Sequence, residues 1–294
     1  MTDAPHAPAT PPIVAGLAGF RDAYRALVCD VWGVVHNGVA AYGPACEALV
    51  NWRRAGGIVV LVTNSPRRPA GVAEQLAELG VPSEAFDAIV TSGEMTRRHI
   101  LAAGHRRVLH IGPPRDLPLL ADSGLARVAA AEAEAVVCTG LNDEDRERPE
   151  DYRPLFDRLV GRGLPFVSAN PDIVVERGPV MLWCAGALAR LYEDMGGTVV
   201  QVGKPFEPIY REALATIADL GGPRGSTAGV LAVGDGIPTD IRGAVDHDID
   251  ALFVTGGIHA ADFGPAGAPD PALVGRRLAI EGLTAVAAIP ALAW

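Results

Sequence analysis

Short, wholly apolar runs punctuate the chain, each closed by glycine, asparagine or proline and followed by apolar residues at helical spacing. Ala26 to Val31 is the first such run; the glycines and asparagine of Gly33 to Gly38 bound it, which predicts a buried strand entering a loop. Pro44 opens a predicted helix through Arg54, with Gly56 and Gly57 as its stop signal, and Ile58 to Thr63 reads as a second, β-branched strand. A helix over roughly Pro69 to Leu79 follows, and a further helical stretch is expected ahead of all these, around Ile13 to Tyr24. Strand alternating with helix over short links predicts a parallel sheet covered on both faces, because strands buried on both sides read as continuous apolar runs.

The middle of the chain repeats this with less regularity. Strands are expected near Ala88 to Thr91, Arg107 to Ile111, Val136 to Thr139 and Pro165 to Ala169, and helices near Glu94 to Ala103 and Tyr152 to Gly161. From Trp183 the first style resumes: helix to Met195, strand Thr198 to Val202, helix Glu207 to Leu220, strand Val230 to Gly234, helix to Val245 and strand Ala251 to Thr255. The expected organisation is a discontinuous core domain, residues 1–83 and 179–294, interrupted by an inserted α/β domain, residues 84–178.

Composition narrows what such a fold could serve. The 294 residues are 49% hydrophobic and 20% charged, enough for one large or two ordinary domains. A net charge of −10 argues against a nucleic-acid partner, since phosphate backbones are held by surplus basic residues; small anionic substrates stay open, because one loop or cation makes a locally positive site. Cys29, Cys46, Cys138 and Cys184 form no CxxC pair and no zinc-ligand spacing. The first twelve residues lack the basic-then-apolar pattern of a secretory signal, and no apolar run is long enough for a bilayer, so a cytoplasmic protein is expected, without a membrane partner.

Parallel sheets bind ligands beyond the carboxyl ends of their strands, so those ends are where chemistry is sought. The first carries Asp30, the second Thr63-Asn64-Ser65, a later one Gly203-Lys204, and another Asp235 with Asp240 five positions on. Singly, each has a plain reading as a turn former or helix cap. Together they supply a nucleophilic carboxylate, hydroxyl and amide donors, an ammonium and carboxylates for a hard cation, which is what phosphoryl transfer requires. On this reading Asp30 attacks phosphorus, Asp30 and Asp235 share Mg2+, Lys204 and Thr63 hold phosphoryl oxygens, and Asp240 orients the site without ligating directly.

Asp30-Val-Trp-Gly-Val, Val62-Thr-Asn-Ser, Gly203-Lys-Pro and Gly234-Asp-Gly-Ile-Pro-Thr-Asp, in that order, resemble the motifs of the haloacid dehalogenase (HAD) superfamily of aspartyl-nucleophile phosphatases. The insert between the second and third motifs looks like its class IIA branch of NagD-like and pyridoxal phosphatases, and Asn170-Pro-Asp and Gly186-Ala-Leu are similar to segments of that branch. The resemblance spans about Leu27 to Gly256. It implies a Rossmann-like core with a parallel sheet, a C2-type α/β cap that carries substrate selectivity, magnesium held in part by the backbone carbonyl at Trp32, an aspartyl-phosphate intermediate, a small phosphorylated metabolite as substrate, and a cap able to join a homodimer.

One position departs from the pattern. The second Asp of the usual Asp-x-Asp motif protonates the leaving group and then activates water, and here that position is Trp32. General acid–base assistance is worth about 10²- to 10⁴-fold, so an impaired or altered proton-transfer step is expected. The alternative is a weak or inactive binder of phosphometabolites that keeps the same pocket. Trp32 is also a candidate stacking wall for substrate, His36 a candidate replacement acid or substrate contact, and Asn142, Asn170 and Asp172 candidate substrate contacts in the insert; for each, core packing or turn formation is the plainer reading.

Overall fold

The computed structural model of the chain describes residues 10–178 and 180–294. The chain begins its regular structure with β1 (Ala26–Cys29), α1 (Gly43–Arg54), β2 (Ile58–Thr63), α2 (Pro69–Glu78) and β3 (Ala88–Thr91). Then come α3 (Ser92–Ala102), β4 (Arg107–Ile111), β5 (Ala126–Arg127), β6 (Ala135–Cys138), α4 (Arg153–Gly161), β7 (Phe166–Ser168), the hairpin β8 (Val174–Arg177) and β9 (Val180–Trp183), α5 (Ala185–Asp194) and β10 (Val199–Gln201). The last stretch holds α6 (Glu207–Asp219), β11 (Val230–Gly234), α7 (Arg242–Asp246), β12 (Asp250–Val254), α8 (Pro271–Ile280) and β13 (Ala287–Ile289). By contacts the chain divides into two units, one running up to Val62 with Leu76–Ile89 and Tyr210–Trp294, the other made of Thr63–Gln75 and Val90–Ile209.

The first unit is built on a six-stranded sheet of order β13-β12-β11-β1-β2-β3, parallel at every pairing from β13 to β2. Every residue of β1 and β11 is buried, as their unbroken apolar sequences demand. From β1 the chain goes to β2 on one side, while β11 takes the other, so the strand order reverses between β1 and β11. That switch point opens the crevice where such sheets bind ligands. Helix α1 follows its sequence closely: Pro44 sits in its first turn, Ala45, Cys46, Ala48, Leu49 and Trp52 form its buried stripe, and Gly56 ends it at φ 84°.

The second unit holds a five-stranded, wholly parallel sheet of order β10-β7-β6-β4-β5. Alternate residues of β6 enter opposite cores, Val136 and Cys138 on one face, Ala135 and Val137 on the other. On the first face Phe156, Phe166 and Tyr192 pack as an aromatic cluster with centroids 4.9 to 5.6 Å apart.

Three sequence expectations change. Ile13 to Tyr24 is not a helix: it holds a single 3-10 turn, Leu17–Phe20, and Ile13 bridges to Ala288 beside β13, so its apolar residues serve a sheet edge. The strand at Ala88–Thr91, expected in the insert, lies at the edge of the six-stranded sheet, and Val199–Gln201, expected in the core, extends the five-stranded one. The helix expected after Gly234 begins as a π turn, Ile237–Ile241, in which Ile241 N–H reaches back to Gly236 O at 3.1 Å, before α7.

Candidate active site

Parallel pairing brings the carboxyl ends of β1 and β11 side by side: Cys29 is in register with Val233, and Asp30 N–H donates to Val233 O at 2.8 Å. Asp30 and Asp235, the residues just past those ends, are therefore neighbours by construction. The π turn then folds Asp240 back over β11. Carboxylate oxygens of Asp30, Asp235 and Asp240 lie within 4.8 Å of one another, on side chains only 7%, 5% and 6% exposed.

Backbone geometry fixes two of the three. Ile258 N–H, on the loop after β12, donates to Asp235 Oδ2 at 2.8 Å, and Gly236 N–H donates to Asp240 Oδ2 at 3.0 Å. Room for them comes from glycines. A Cβ at Gly33 or Gly257 would overlap the Asp235 carboxylate, and one at Gly234 would overlap Asp240; Gly33 also sits at φ 84°. Three like charges held this close in a buried place raise each other's electrostatic energy, and an oxygen-only anionic donor set suits a hard divalent cation such as Mg2+. The residues present thus fit the expected metal, with Asp240 close enough to be counted in the group.

Trp32 follows Asp30 on the loop after β1. Its indole packs against Gly38, where a Cβ would overlap the ring, and meets the His36 imidazole edge-on with centroids 4.9 Å apart. His36 is 2% exposed, and its Nδ1 accepts the Gly38 N–H at 2.9 Å. Burial pushes the His36 pKa down to about 4, so the ring is neutral at neutral pH and acts as a strut beneath Trp32.

A pH dependence follows from that burial. As pH falls below about 6.5 the unfolded chain protonates His36 while the folded one resists to about 4, so stability is lost on acidification between these values, by up to about 3 kcal/mol. His36→Asn, which keeps an acceptor for the Gly38 N–H, is expected to flatten part of the melting temperature's fall between pH 6.5 and 4. Identical acid profiles for the two proteins would exclude this role.

In the second unit another group forms around Asn64. Its Oδ1 accepts the Lys204 N–H at 2.7 Å, while Nδ2 donates to Asp172 Oδ1 at 2.8 Å and to Lys204 O at 3.2 Å. The Asn64 side chain is thereby committed to holding the Lys204 segment, whose Lys204–Pro205 peptide bond is cis. Gly203 lets that segment close in, since a Cβ there would lie 2.6 Å from Ser92 Oγ and 2.9 Å from Pro171. Thr63 Oγ1 accepts the Ser65 N–H at 3.1 Å, leaving its proton free to donate.

The insert's candidates sort themselves by partner. Asn170 Oδ1 accepts the Asp172 N–H at 3.0 Å, and Gly186 N–H, opening α5, donates to Asp172 O at 3.1 Å, so Asn170 and Asp172 brace Asn64. Asn142 is engaged away from that group, accepting from Gly112 N–H at 3.1 Å and donating to Tyr152 Oη at 3.0 Å. The structure thus joins Asp30, Asp235 and Asp240 in one unit and Asn64, Asp172 and Lys204 in the other. Sequence reasoning missed the loop after β12: Gly257 and Ile258 shape the Asp235 site, and the small-residue run Thr255-Gly-Gly is the signal that could have found them.

Residues 27–126 match the family described as haloacid dehalogenase-like hydrolase, and residues 201–279 match one described as HAD-hydrolase-like. A crystal structure of a haloacid dehalogenase-like hydrolase from Brucella suis superposes with a TM-score of 0.84 and is 46% identical, covering 95% of this chain and 100% of that one. The 5'-nucleotidase YutF of Bacillus subtilis is 25% identical over 238 residues, 80% of this chain and 88% of that protein. The acid sugar phosphatase of Staphylococcus saprophyticus is 26% identical over 247 residues, with the same two coverages of 80% and 88%.

Proposed function

The chain belongs to the haloacid dehalogenase-like hydrolases, and from that premise we propose that it is a phosphatase of small phosphorylated metabolites that works through an aspartyl phosphate at Asp30. The observation that carries this reading is the buried triad of Asp30, Asp235 and Asp240 at the carboxyl ends of β1 and β11. The relatives named as a nucleotidase and a sugar phosphatase support it.

In the first step an Asp30 carboxylate oxygen bonds to phosphorus, the bond from phosphorus to the ester oxygen breaks, and that oxygen leaves with the electron pair, as the free oxide from an aryl ester and with a proton drawn from water from an alkyl one. In the second, water attacks the same phosphorus, inorganic phosphate departs and the Asp30 carboxylate is restored. Thr63 through its hydroxyl, Asn64 through its backbone and Lys204 through its ammonium are assigned to the phosphoryl oxygens, by their places in the ordered motifs. Asp30, the Trp32 carbonyl and Asp235 are assigned to Mg2+, with Asp240 as an orienting neighbour. When bound, the ion neutralises charge on the transferring group. Lost acid–base assistance at Trp32 keeps a second reading in play, that of a weakly active phosphometabolite binder; what favours it is that His36, the nearest imidazole in sequence, is neutral and tied to Gly38.

The inserted unit is assigned substrate choice and a homodimer contact. Among the described residues no helix is long and apolar enough to cross a membrane. A cytoplasmic setting suits the four buried free thiols. Asp235→Asn tests the metal assignment: the magnesium concentration giving half-maximal hydrolysis is expected to rise at least about tenfold, since one charged ligand of a hard cation is lost. An unchanged magnesium dependence would remove Asp235 from the metal site.

A further inference from the structure

Two arginines follow the Thr63-Asn64-Ser65 segment, and neither has a part in the reaction above. Arg68 Nε lies 3.4 Å from Glu94 Oε2, and Glu94 also meets Arg97 at 3.2 Å and Arg98 at 3.5 Å, so Arg68 belongs to a surface charge network. Arg67 is held differently. Its N–H donates to Ser65 Oγ at 3.3 Å, and Gly93 N–H donates to Ser65 O at 3.1 Å. A Cβ at Gly93 would overlap the carbonyl oxygens of Pro66 and Arg67, so the backbone here is clamped on the first turn of α3.

The Arg67 side chain is 32% exposed and its guanidinium makes no hydrogen bond among the described residues; its ion-pair partner is Asp116, whose Oδ1 lies 4.0 Å from Nε. Asp116 is buried in the 3-10 turns after β4, and Thr139, just past β6, lies close enough to its carboxyl to act on it electrostatically. Those are the carboxyl ends of adjacent parallel strands, the ligand-binding side of such a sheet. Burial pushes the Asp116 carboxyl up to about 6, with Arg115 and Arg67 partly offsetting it. A guanidinium steadied at its Nε edge keeps its two terminal nitrogens for a planar, bidentate anion.

We propose that Arg67, positioned by Asp116, is a specificity residue that takes a second anionic group, a carboxylate or further phosphate, on the leaving-group side of a phosphate monoester. This rests on the phosphatase reading, which places the ester beside Thr63 and Asn64. The substrate class thereby narrows to doubly anionic monoesters.

Glycerol 3-phosphate and 3-phosphoglycerate share a carbon skeleton and differ by a carboxylate, so they make the test. The wild-type protein is expected to favour 3-phosphoglycerate in kcat/KM, and Arg67→Gln to lower the ratio of the two esters about 10- to 100-fold, the worth of a charge-assisted pair. Arg67→Lys restores only part of it, because the fork is lost. A pair that is merely structural would lower the melting temperature and both rates together; a ratio unmoved by Arg67→Gln therefore overturns the proposal. Should neither ester turn over, hydrolysis of p-nitrophenyl phosphate, whose aryl oxide leaves without an acid, decides the phosphatase reading, and the same compounds are compared as ligands of the Asp30→Asn protein by thermal shift. Stabilisation by 3-phosphoglycerate that Arg67→Gln abolishes upholds Arg67; equal stabilisation by both esters, before and after the substitution, overturns it.

Discussion

Asp30→Asn is expected to lower magnesium-dependent hydrolysis of an aryl phosphate by on the order of 10⁴-fold or more, as removal of a covalent nucleophile does in other enzymes. The amide keeps the carboxylate's shape, and the backbone bond from Asp30 N–H to Val233 O is untouched, so the fold survives. Stability reports the same site from another direction. One of three buried like charges within 4.8 Å is gone, so the metal-free variant melts no lower than wild type, while added magnesium stabilises it less. Kinetics with and without magnesium, beside thermal melts, check both. A variant retaining a tenth of wild-type turnover would remove Asp30 as the nucleophile.

The second large effect concerns Trp32. A carboxylate at this position protonates a leaving alkoxide and later activates water, and these two jobs separate in the kinetics. kcat/KM reports steps up to leaving-group departure, where an aryl oxide needs no proton and an alkoxide does. Trp32→Asp is therefore expected to raise kcat/KM for alkyl phosphates by about 10²- to 10⁴-fold and to leave that for aryl phosphates nearly unchanged. kcat for the aryl ester rises too, because breakdown of the shared aspartyl phosphate gains a base. The indole also packs on Gly38 and His36, so the variant melts lower, by about 2 kcal/mol of stability. Trp32→Asn suffers the same packing loss without the carboxyl and serves as the control. Equal gains in kcat/KM for both ester classes would contradict the leaving-group account.

How much of this was legible before the structure depended on whether a feature is local. Helix α1 carries its own start, stripe and stop in Pro44, Trp52 and Gly56, and strands β1, β2 and β11 announce double-sided burial by unbroken apolar runs. Sheet membership is not local. Nothing within Ala88–Thr91 or Val199–Gln201 says which sheet it joins, since that is decided by where the chain returns after a crossover. β13 escaped notice because Ala287 and Ala288 carry little strand propensity and owe their state to pairing with β12.

The candidate site divides along the same line. Asp30 and Asp235 were legible because each directly follows an unbroken apolar strand run, at the carboxyl end where parallel sheets bind ligands. The engagement of Asn64 with Lys204 and Asp172, and the burial of His36, were not, because each depends on partners distant in sequence or on packing around a short loop. Asp246, His247 and Asp250 lie close in sequence but have separate partners in the fold: Asp246 meets Arg242 at 3.6 Å, His247 packs on Tyr210 and Asp250 accepts from Tyr24 Oη at 2.8 Å.

The central claim is covalent chemistry at Asp30, and the missing base at Trp32 makes it directly visible. With p-nitrophenyl phosphate the first step proceeds without an acid, whereas hydrolysis of the intermediate lacks its base, so phosphoenzyme accumulates. Rapid-quench kinetics on the magnesium-loaded protein, followed by mass spectrometry of the acid-quenched chain, is the measurement. The account predicts a burst of nitrophenolate approaching one per protein molecule, and a phosphoryl adduct on the peptide containing Asp30. Turnover without that adduct, or neither burst nor adduct in folded, magnesium-loaded protein, would contradict it.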